Sequence, residues 1–190
     1  LLIYIFNMNF FRFFIILFLV YGYFLPTQSS QKNVLNELFD KLEKINNYKT
    51  AELLEKKIWS IWNQHPSDVK LTEKLEFGTE LMQYQNYDYA VKVFDNILAS
   101  DPDWSEAWNK RATVFFLMKQ YKKSLKDIEQ VLKIEPRHFG ALSGQARIFI
   151  KLQEYELAIT SLKKALKFYP SFKSGELIPE IERLIKAESI

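Results

Sequence analysis

A repeat with a period of 34 residues is the feature that most restricts how this chain can fold. Pro102, Pro136 and Pro170 are spaced at this interval, and so are three further columns of similar residues. Those columns are Tyr87, Tyr121 and Tyr155; Leu81, Phe115 and Phe149; and Phe94, Ile128 and Leu162. Periods of about 20 to 50 residues are typical of proteins built from stacked supersecondary units. The sequence therefore predicts three such units: unit one at residues 71–104, unit two at 105–138 and unit three at 139–172.

Each unit has the pattern of two helices joined by a short turn. In unit two, Ala112, Phe115 and Phe116 recur at helical spacing before the turn, and Ile128 and Val131 recur after it. A proline follows the second helix of every unit, where it prevents the helix from continuing. With only 5 Gly and 6 Pro in 190 residues, the chain has few of the turn-forming residues that a many-stranded fold requires. We therefore expect an all-α structure.

The units resemble the tetratricopeptide repeat. The residues that match its consensus in order and spacing are Gly78, Leu81, Tyr87, Ala90, Phe94, Ile97 and Pro102 in unit one; Trp108, Ala112, Phe115, Tyr121, Ser124, Ile128, Val131 and Pro136 in unit two; and Ala146, Phe149, Tyr155, Ala158, Leu162, Ala165 and Pro170 in unit three. Small residues where the two helices cross allow a close approach that larger side chains would prevent. Lys74 and Gln145 depart from the pattern, because apolar residues are usual at their positions.

The resemblance implies an α-α superhelix, or solenoid, of three clear repeats with additional helices at both ends. Before the repeats, residues 31–70 carry two amphipathic stripes, which we interpret as a degenerate helical hairpin equivalent to a fourth unit. After the repeats, residues 173–190 predict a capping helix, since the terminal apolar face of a repeat array has to be covered.

In tetratricopeptide domains the first helix of each pair generally lines a concave groove, so the resemblance also implies a binding surface for a protein or peptide. The residues at the corresponding positions are Thr72, Leu75, Thr79 and Met82 in unit one; Glu106, Asn109, Thr113 and Phe116 in unit two; and Ser143, Arg147, Ile150 and Lys151 in unit three. Some members of the family hold a terminal carboxylate with lysines beside Asn and Arg. Asn109 and Arg147 are present here but those lysines are missing, so we do not expect that mode of recognition.

The first thirty residues predict a signal peptide or an amino-terminal membrane anchor. Residues 13–25 are apolar apart from Gly22 and the tyrosine hydroxyl groups, and Arg12 precedes them. A positive charge before a short apolar segment is typical of a signal peptide. The residues before Arg12 lengthen the apolar stretch toward the roughly 20 that span a bilayer, so an uncleaved anchor is the alternative. Because Met8 opens this segment, we interpret it as the start of translation.

The residue types that carry catalysis or bind metals are scarce and scattered. The chain has no cysteine, and His65 and His138 are its only histidines, at turns of different units. No phosphate-binding glycine loop is present, and Gly140 and Gly144 are better explained by the close approach of helices or of a ligand. The net charge of +3 is too small for a dedicated nucleic-acid binder. We therefore expect no catalysis, no cofactor, no metal and no nucleic-acid partner.

Taken together, these features predict a bacterial protein-interaction scaffold of the cell envelope, either periplasmic or anchored to the inner membrane, that binds a partner segment in its groove. One alternative is a protein or enzyme accessory subunit that binds a small molecule or glycan, with Phe116 and Trp104 exposed for stacking. Another is a structural subunit that oligomerises through Trp59 and Trp62.

Overall fold

The computed structural model describes residues 28–188, which are helical apart from their turns. The helices are α1 at Gln28–Leu42, α2 at Tyr48–Trp62, α3 at Val69–Gln83, α4 at Tyr87–Ser100, α5 at Ser105–Leu117, α6 at Tyr121–Ile134, α7 at Phe139–Lys151, α8 at Tyr155–Phe168 and α9 at Ile178–Glu188. A short 3-10 helix, Lys173–Leu177, precedes α9. Units one, two and three contribute the pairs α3–α4, α5–α6 and α7–α8. The predicted all-α class is therefore confirmed.

The same turn joins the two helices in each unit. Gln85, Lys119 and Gln153 have φ values of 60°, 59° and 60°, in the left-handed region. The amide of the next residue donates in each unit to the carbonyl five residues earlier, at 2.8 Å: Asn86 to Leu81, Gln120 to Phe115 and Glu154 to Phe149. This hydrogen bond closes a Schellman motif, which ends the first helix of each pair. Three equal turns give the three pairs a common geometry and place their turns along one edge of the array.

Small residues lie where the two helices of each pair cross. A Cβ atom added to Gly78 would lie 2.7 Å from Cε1 of Phe94, so only glycine fits between α3 and α4. In unit two the hydroxyl of Ser124 donates to the carbonyl oxygen of Ala112 at 2.7 Å. The corresponding alanines of unit three are completely buried. The close crossing predicted from the sequence is present in all three pairs.

Polar side chains join neighbouring helices beside these crossings. The guanidinium of Arg111 on α5 donates to both carboxylate oxygens of Asp127 on α6, at 2.7 and 2.8 Å. It also donates to Asp95 on α4, at 2.6 Å, and so connects units one and two. Gln145, which departs from the repeat pattern, accepts a hydrogen bond of 2.9 Å from Ser161. A polar pair thus replaces the usual apolar contact between α7 and α8.

The α1–α2 hairpin packs against unit three. The shared core consists of Leu38, Phe39, Leu42, Ala51, Leu54, Ile58 and Trp62 from the hairpin and Phe139, Leu142, Ala165 and Tyr169 from unit three. The hydroxyl of Tyr169 donates to Glu55 at 3.0 Å across 114 residues of sequence. The sequence predicted the helical pair but not its place, because amphipathic stripes do not specify their partner.

The position of the hairpin accounts for Lys74 in unit one. Trp108, which occupies the same position in unit two, packs against the apolar core that α4 and α5 share. Among residues 28–188, no helix packs against α3 at Lys74 as α4 packs against α5 at Trp108. Lys74 is therefore exposed. A charged residue at this position therefore keeps the outer face of unit one hydrated.

The carboxy-terminal helix covers the other end of the array. Ile181 of α9 is buried against Ala146, Tyr155, Ala158 and Leu162 of unit three. This arrangement matches the predicted capping helix. In residues 28–188 no helix has both the length and the apolarity needed to cross a bilayer. The predicted signal peptide or anchor lies almost entirely in residues 1–27, outside the described part of the chain, and remains a prediction.

Candidate binding cleft

A cleft with a volume of about 420 Å³ opens on the concave side of the array. Its walls come from α3, α5, α6 and α7, from the hairpin helix α2 and from the segment that follows α8. The residues that line it are Glu55, Trp59, Met82, Asn109, Lys110, Ala112, Thr113, Phe116, Ser124, Ile128, Gly140, Ser143, Gly144, Arg147, Ile148, Phe172 and Ser174. A volume of this size lies within the range of small-ligand pockets, about 300 to 1,000 Å³.

One wall of the cleft belongs to the hairpin, where Trp59 lies against the start of α7. A Cβ atom added to Gly140 would lie 2.5 Å from Cη2 of Trp59, so the glycine makes room for the indole ring. The indole N–H of Trp59 donates to one carboxylate oxygen of Glu55 at 3.3 Å, and Tyr169 donates to the other. Burial and the neighbouring Glu55 carboxylate both raise the pKa of Tyr169, which keeps its hydroxyl protonated. Glu55 and Trp59 are therefore held in place by contacts with unit three.

The floor of the cleft is apolar and is opened by a second glycine. A Cβ atom added to Gly144 would meet only Cδ1 of Ile128, at an ordinary contact distance of 3.8 Å. Ile128 and Ile148 form the base, and Phe116 and Met82 stand at the unit-one side. Because Gly144 has no side chain, space remains between α5 and α7 that a larger residue would fill. The two glycines noted in the sequence thus have different roles.

The end of the groove next to the turns between units is closed by a buried polar network. Nε2 of His138 lies 3.0 Å from a carboxylate oxygen of Glu106, and neither side chain is exposed. Lys110 and Asn109 each lie 3.1 Å from the same carboxylate group. The ring of His138 stacks on the hairpin residue Trp62, with centroids 3.9 Å apart and planes at 8°. This network joins α5, α7 and the hairpin.

The pKa of Glu106 reflects two opposed effects. Burial alone raises the pKa, whereas the hydrogen bond with His138 and the charge of Lys110 lower it, and the second effect prevails. Glu106 is therefore held as a carboxylate inside the fold. Its role is structural, and it is not exposed to a partner.

The structure brings together half of the twelve predicted groove residues. Those that line the cleft are Met82, Asn109, Thr113, Phe116, Ser143 and Arg147. Thr79 donates to the carbonyl oxygen of Leu75 within its own helix. The other predicted groove residues do not line the cleft.

Four predicted groove positions are occupied within the chain or lie apart from the cleft. Leu75 is buried in the core of unit one, because it faces α4 rather than the groove. Thr72 accepts a hydrogen bond of 2.9 Å from the backbone of His65 in the linker after the hairpin. Ile150 packs against the core that α9 covers, and Lys151 is exposed at the end of α7. The prediction that Leu75 and Glu106 present side chains to a partner is therefore wrong.

Three charged side chains line the cleft, the anionic Glu55 and the cationic Lys110 and Arg147. Arg147 is exposed and makes no ion pair or side-chain hydrogen bond among residues 28–188. The Lys110 ammonium group is bound to Glu106 and largely covered. The carboxylate of Glu55 is covered in part by its two hydrogen-bond donors. Arg147 is thus the cation of the cleft lining that has no acidic partner among residues 28–188.

In each of the two alternative functions, one of the tryptophans named is buried within the chain. Trp104, expected to be exposed for stacking on a glycan, is buried, and its indole N–H donates to the carbonyl oxygen of Trp62 at 2.9 Å. Trp62, expected to anchor a second subunit, is itself buried in the hairpin core, while Trp59 lines the cleft. His65 contacts Asp101 at 2.7 Å rather than a metal set. Within the described residues no group of His, Cys, Asp and Glu has the arrangement of a metal site.

Sequence reasoning missed the residues that the hairpin and the carboxy-terminal segment supply. Glu55 and Trp59 lie on α2, and Phe172 and Ser174 follow α8. The hydroxyl of Ser174 lies 2.9 Å from that of Ser143 on the groove face. In the sequence, Gly140 was the one indication of this wall. A glycine at a groove position early in a helix indicates that another group approaches closely.

Two sequence comparisons agree with the repeat assignment. Residues 83–165 match a family model described as subunit 3 of the anaphase-promoting complex, or cyclosome. A TPR repeat-containing protein of Rhizobium etli is 34% identical over 96 residues, which cover 50% of this chain and 47% of the relative. The chain therefore spans about half the length of this curated relative.

Solved structures with similar folds are tetratricopeptide domains. The first such domain of Spaghetti (RPAP3), bound to the HSP90 peptide SRMEEVD, has a TM-score of 0.58 and 19% identity and covers 62% of this chain and 94% of its own. The Sgt2 domain from Aspergillus fumigatus has a TM-score of 0.59 and 16% identity, with coverages of 63% and 82%. The TPR2B domain of yeast Sti1, in a complex with pHsp70, has a TM-score of 0.54 and 20% identity, with coverages of 64% and 98%. The helical pairs of this chain therefore have the tetratricopeptide-repeat fold.

Proposed function

We propose that this protein is a non-catalytic interaction scaffold that binds a segment of a partner protein in the concave cleft. The observation that supports this proposal most directly is the cleft itself, which side chains from the first helices of all three units line together. Apolar surface from Phe116, Ile148 and Met82 lies beside the polar groups of Asn109 and Thr113. This combination suits a peptide whose side chains are buried while its backbone and polar groups are hydrogen-bonded.

The fold neighbours support a polypeptide ligand. The Spaghetti domain holds a peptide of HSP90, and the Sti1 domain was determined in a complex with pHsp70. These proteins share the fold with this chain at 19% and 20% identity, so the choice of partner does not transfer from them. What supports the proposal here is that the cleft of this chain lies on the first helices of its pairs.

Affinity capture with matched baits tests the proposal. Wild-type protein, Phe116→Ala and Arg147→Ala are immobilised, with Leu117→Ala and Lys151→Ala as controls. Leu117 and Lys151 are exposed neighbours on the same helices that do not line the cleft. We expect the partner to be retained by the wild type and both controls and lost from the two cleft variants. Equal recovery of the same proteins on all five baits would rule out binding in the cleft.

We further propose that the protein works in the cell envelope, exported or tethered by its first thirty residues. The support is the apolar segment at residues 13–25 with Arg12 before it. Fusion of residues 1–30 to alkaline phosphatase, which becomes active only after export, provides the test. We expect enzyme activity from this fusion and none from a fusion to residues 31–190. Two fusion proteins that are both produced but both inactive would contradict export.

A further inference from the structure

The hairpin changes the shape of the groove in a way that decides what fits it. Trp59 and Glu55 stand at the amino-terminal end of α7, Trp62 stacks on His138 beside Glu106, and Trp104 is bonded to Trp62. The beginnings of α5 and α7 are consequently covered. What remains is a pocket with one closed side, and an extended chain crossing the full length of the first helices would collide with α2.

The contacts that hold the hairpin are those of a core. Phe39, Leu42 and Ile58 are buried together with Phe139 and other residues of unit three. Arg137 also lies over the ring of Phe39, with its guanidinium carbon 4.3 Å from the ring centroid. The wall formed by α2 is therefore a permanent part of the site under native conditions rather than a loose segment.

The lining of the pocket specifies the chemistry of its occupant. Apolar groups from Trp59, Phe116, Phe172 and Ile148 surround the interior, and Gly144 leaves space above Ile128. At the mouth, Arg147 has no acidic partner among residues 28–188. Its guanidinium group suits a carboxylate, which it can bind through two parallel hydrogen bonds.

We propose that the pocket between α2 and the groove takes a bulky apolar side chain from an internal segment of a partner, with an acidic side chain next to it bound by Arg147. This inference rests on the proposed function and adds to it the shape and charge of the segment. It also assigns Trp59, on the hairpin, as a residue that determines specificity. Because the ligand contacts both α2 and α7, its binding and the docking of the hairpin stabilise each other.

Nine-residue peptides with acetylated and amidated ends are the probes for this proposal. The first has Phe at its centre between two Glu residues in a Gly-Ser background. The second replaces the Phe with Ser, the third replaces both Glu residues with Lys, and the fourth keeps the first sequence but has a free carboxy terminus. Fluorescence anisotropy of labelled peptides gives the dissociation constants. We expect the first peptide to bind and the second and third to bind at least about tenfold more weakly, the loss that follows from about 1.4 kcal/mol.

Variants of the full chain locate the binding. Trp59→Ala should weaken binding of the first peptide about tenfold or more, and Trp59→Phe should weaken it less. Leu53→Ala, an exposed position on the same helix, should have no effect. Gly144→Leu should abolish binding because the new side chain occupies the pocket. Arg147→Glu should reverse the preference, so that the Lys peptide binds better than the Glu peptide. Circular dichroism of every variant checks that it is folded.

Hydrogen exchange measures the coupling between peptide binding and the docking of the hairpin. With the first peptide bound, amides of α2 should exchange more slowly than in the free protein. In Gly144→Leu, addition of the peptide should leave the exchange rates unchanged.

Binding that is lost in Phe116→Ala but retained in Trp59→Ala and Trp59→Phe would overturn the role of the hairpin and leave groove binding in place. Binding by the free-ended peptide alone, or equal binding of the Glu and Lys peptides, would overturn the assigned ligand chemistry. Failure of all four peptides, while the capture experiment still separates the cleft variants from their controls, would also refute this inference and not the proposed function.

Discussion

Nε2 of His138 lies 3.0 Å from a carboxylate oxygen of Glu106, and no surface of either side chain reaches solvent. The backbone N–H of Ala141 donates to Nδ1 of His138 at 3.1 Å, so Nδ1 is the acceptor in the ring. The proton of a neutral imidazole must then be on Nε2, from which it is donated to Glu106. One histidine thus caps α7, orients the buried carboxylate on α5 and provides the surface on which Trp62 stacks.

We expect Glu106→Gln to lower the free energy of unfolding by about 2 kcal/mol, since a charge-assisted hydrogen bond is replaced by a neutral one. Urea denaturation followed by circular dichroism measures the change. Glu129→Gln is the control, because Glu129 is exposed and pairs only with Lys133 in its own helix. A loss no greater than that of the control would show that the buried network contributes little stability.

The same carboxylate gives stability a defined dependence on pH. The folded-state pKa of Glu106 is below the ordinary value of 4.5, so the unfolded chain binds the proton at a higher pH than the folded protein does. The contribution of Glu106 is therefore complete above pH 4.5 and is lost as the pH falls through its lower folded value. We expect the stability difference between wild type and Glu106→Gln to shrink in acid. A constant difference between neutral pH and about pH 3 would contradict this assignment.

Arg111→Lys is expected to destabilise the protein although it retains the positive charge. The guanidinium group binds Asp127 through two nitrogens and Asp95 through a third, and a single ammonium group cannot reproduce that geometry. We expect a loss of about 2 kcal/mol by thermal or chemical unfolding, because Asp127 is buried and loses one of its donors. Lys122→Arg, at an exposed position, serves as the control for substitution between the two cations.

Two glycine-to-alanine substitutions should have opposite signs. Gly78→Ala brings a Cβ atom to 2.7 Å from Phe94 and should cost about 1 to 3 kcal/mol through overpacking. Gly144→Ala meets only an ordinary contact with Ile128 and should stabilise α7 by about 0.5 to 1 kcal/mol, the difference in helix propensity. Both glycines lie inside helices, so each variant is the control for the other. Stabilisation by Gly78→Ala in unfolding experiments would mean that the crossing at Gly78 is not as tight as the structure has it, and destabilisation by Gly144→Ala would mean that the space beside Gly144 is smaller.

The array and its glycines illustrate what the sequence could predict. Pro102, Pro136 and Pro170 mark the units because proline has a local effect on the backbone, which a single sequence reveals directly. The crossing at Gly78 follows in the same way from its place in the repeat. The packing partner of the hairpin could not be predicted, because the apolar stripe of α2 is compatible with any apolar surface. The choice depends on contacts that are remote in sequence, such as that between Trp62 and His138.

In the candidate site, too, the sequence predicts some features and the tertiary structure alone shows others. Asn109, Thr113 and Phe116 lie in the lining of the cleft, and their positions follow from the register of α5 within the repeat. Glu106 lies on the same side of α5 as these three residues. It is nevertheless buried, because the hairpin and His138 cover it. Repeat register therefore predicts which way a side chain points, and only the tertiary structure shows what lies in front of it.

Phe39→Ala tests where the hairpin packs. The ring of Phe39 contacts Trp62 and Phe139, with centroids 5.9 and 6.3 Å apart, and its removal should cost about 3 to 5 kcal/mol. Hydrogen exchange should then become faster in α7 and α8 as well as in α1 and α2, while α3 and α4 remain closer to the wild type. Faster exchange confined to the hairpin and unit one would instead support stacking before unit one.

The contact between the first helical pair and the last one also constrains the order of folding during synthesis. In most repeat arrays each unit depends only on its neighbours, so that units become stable one after another as they leave the ribosome. Here the ring of Phe39 remains without its partner Phe139 until unit three has been made. The apolar face of the hairpin therefore lacks this part of its core until unit three has left the ribosome, and unit three then completes the core.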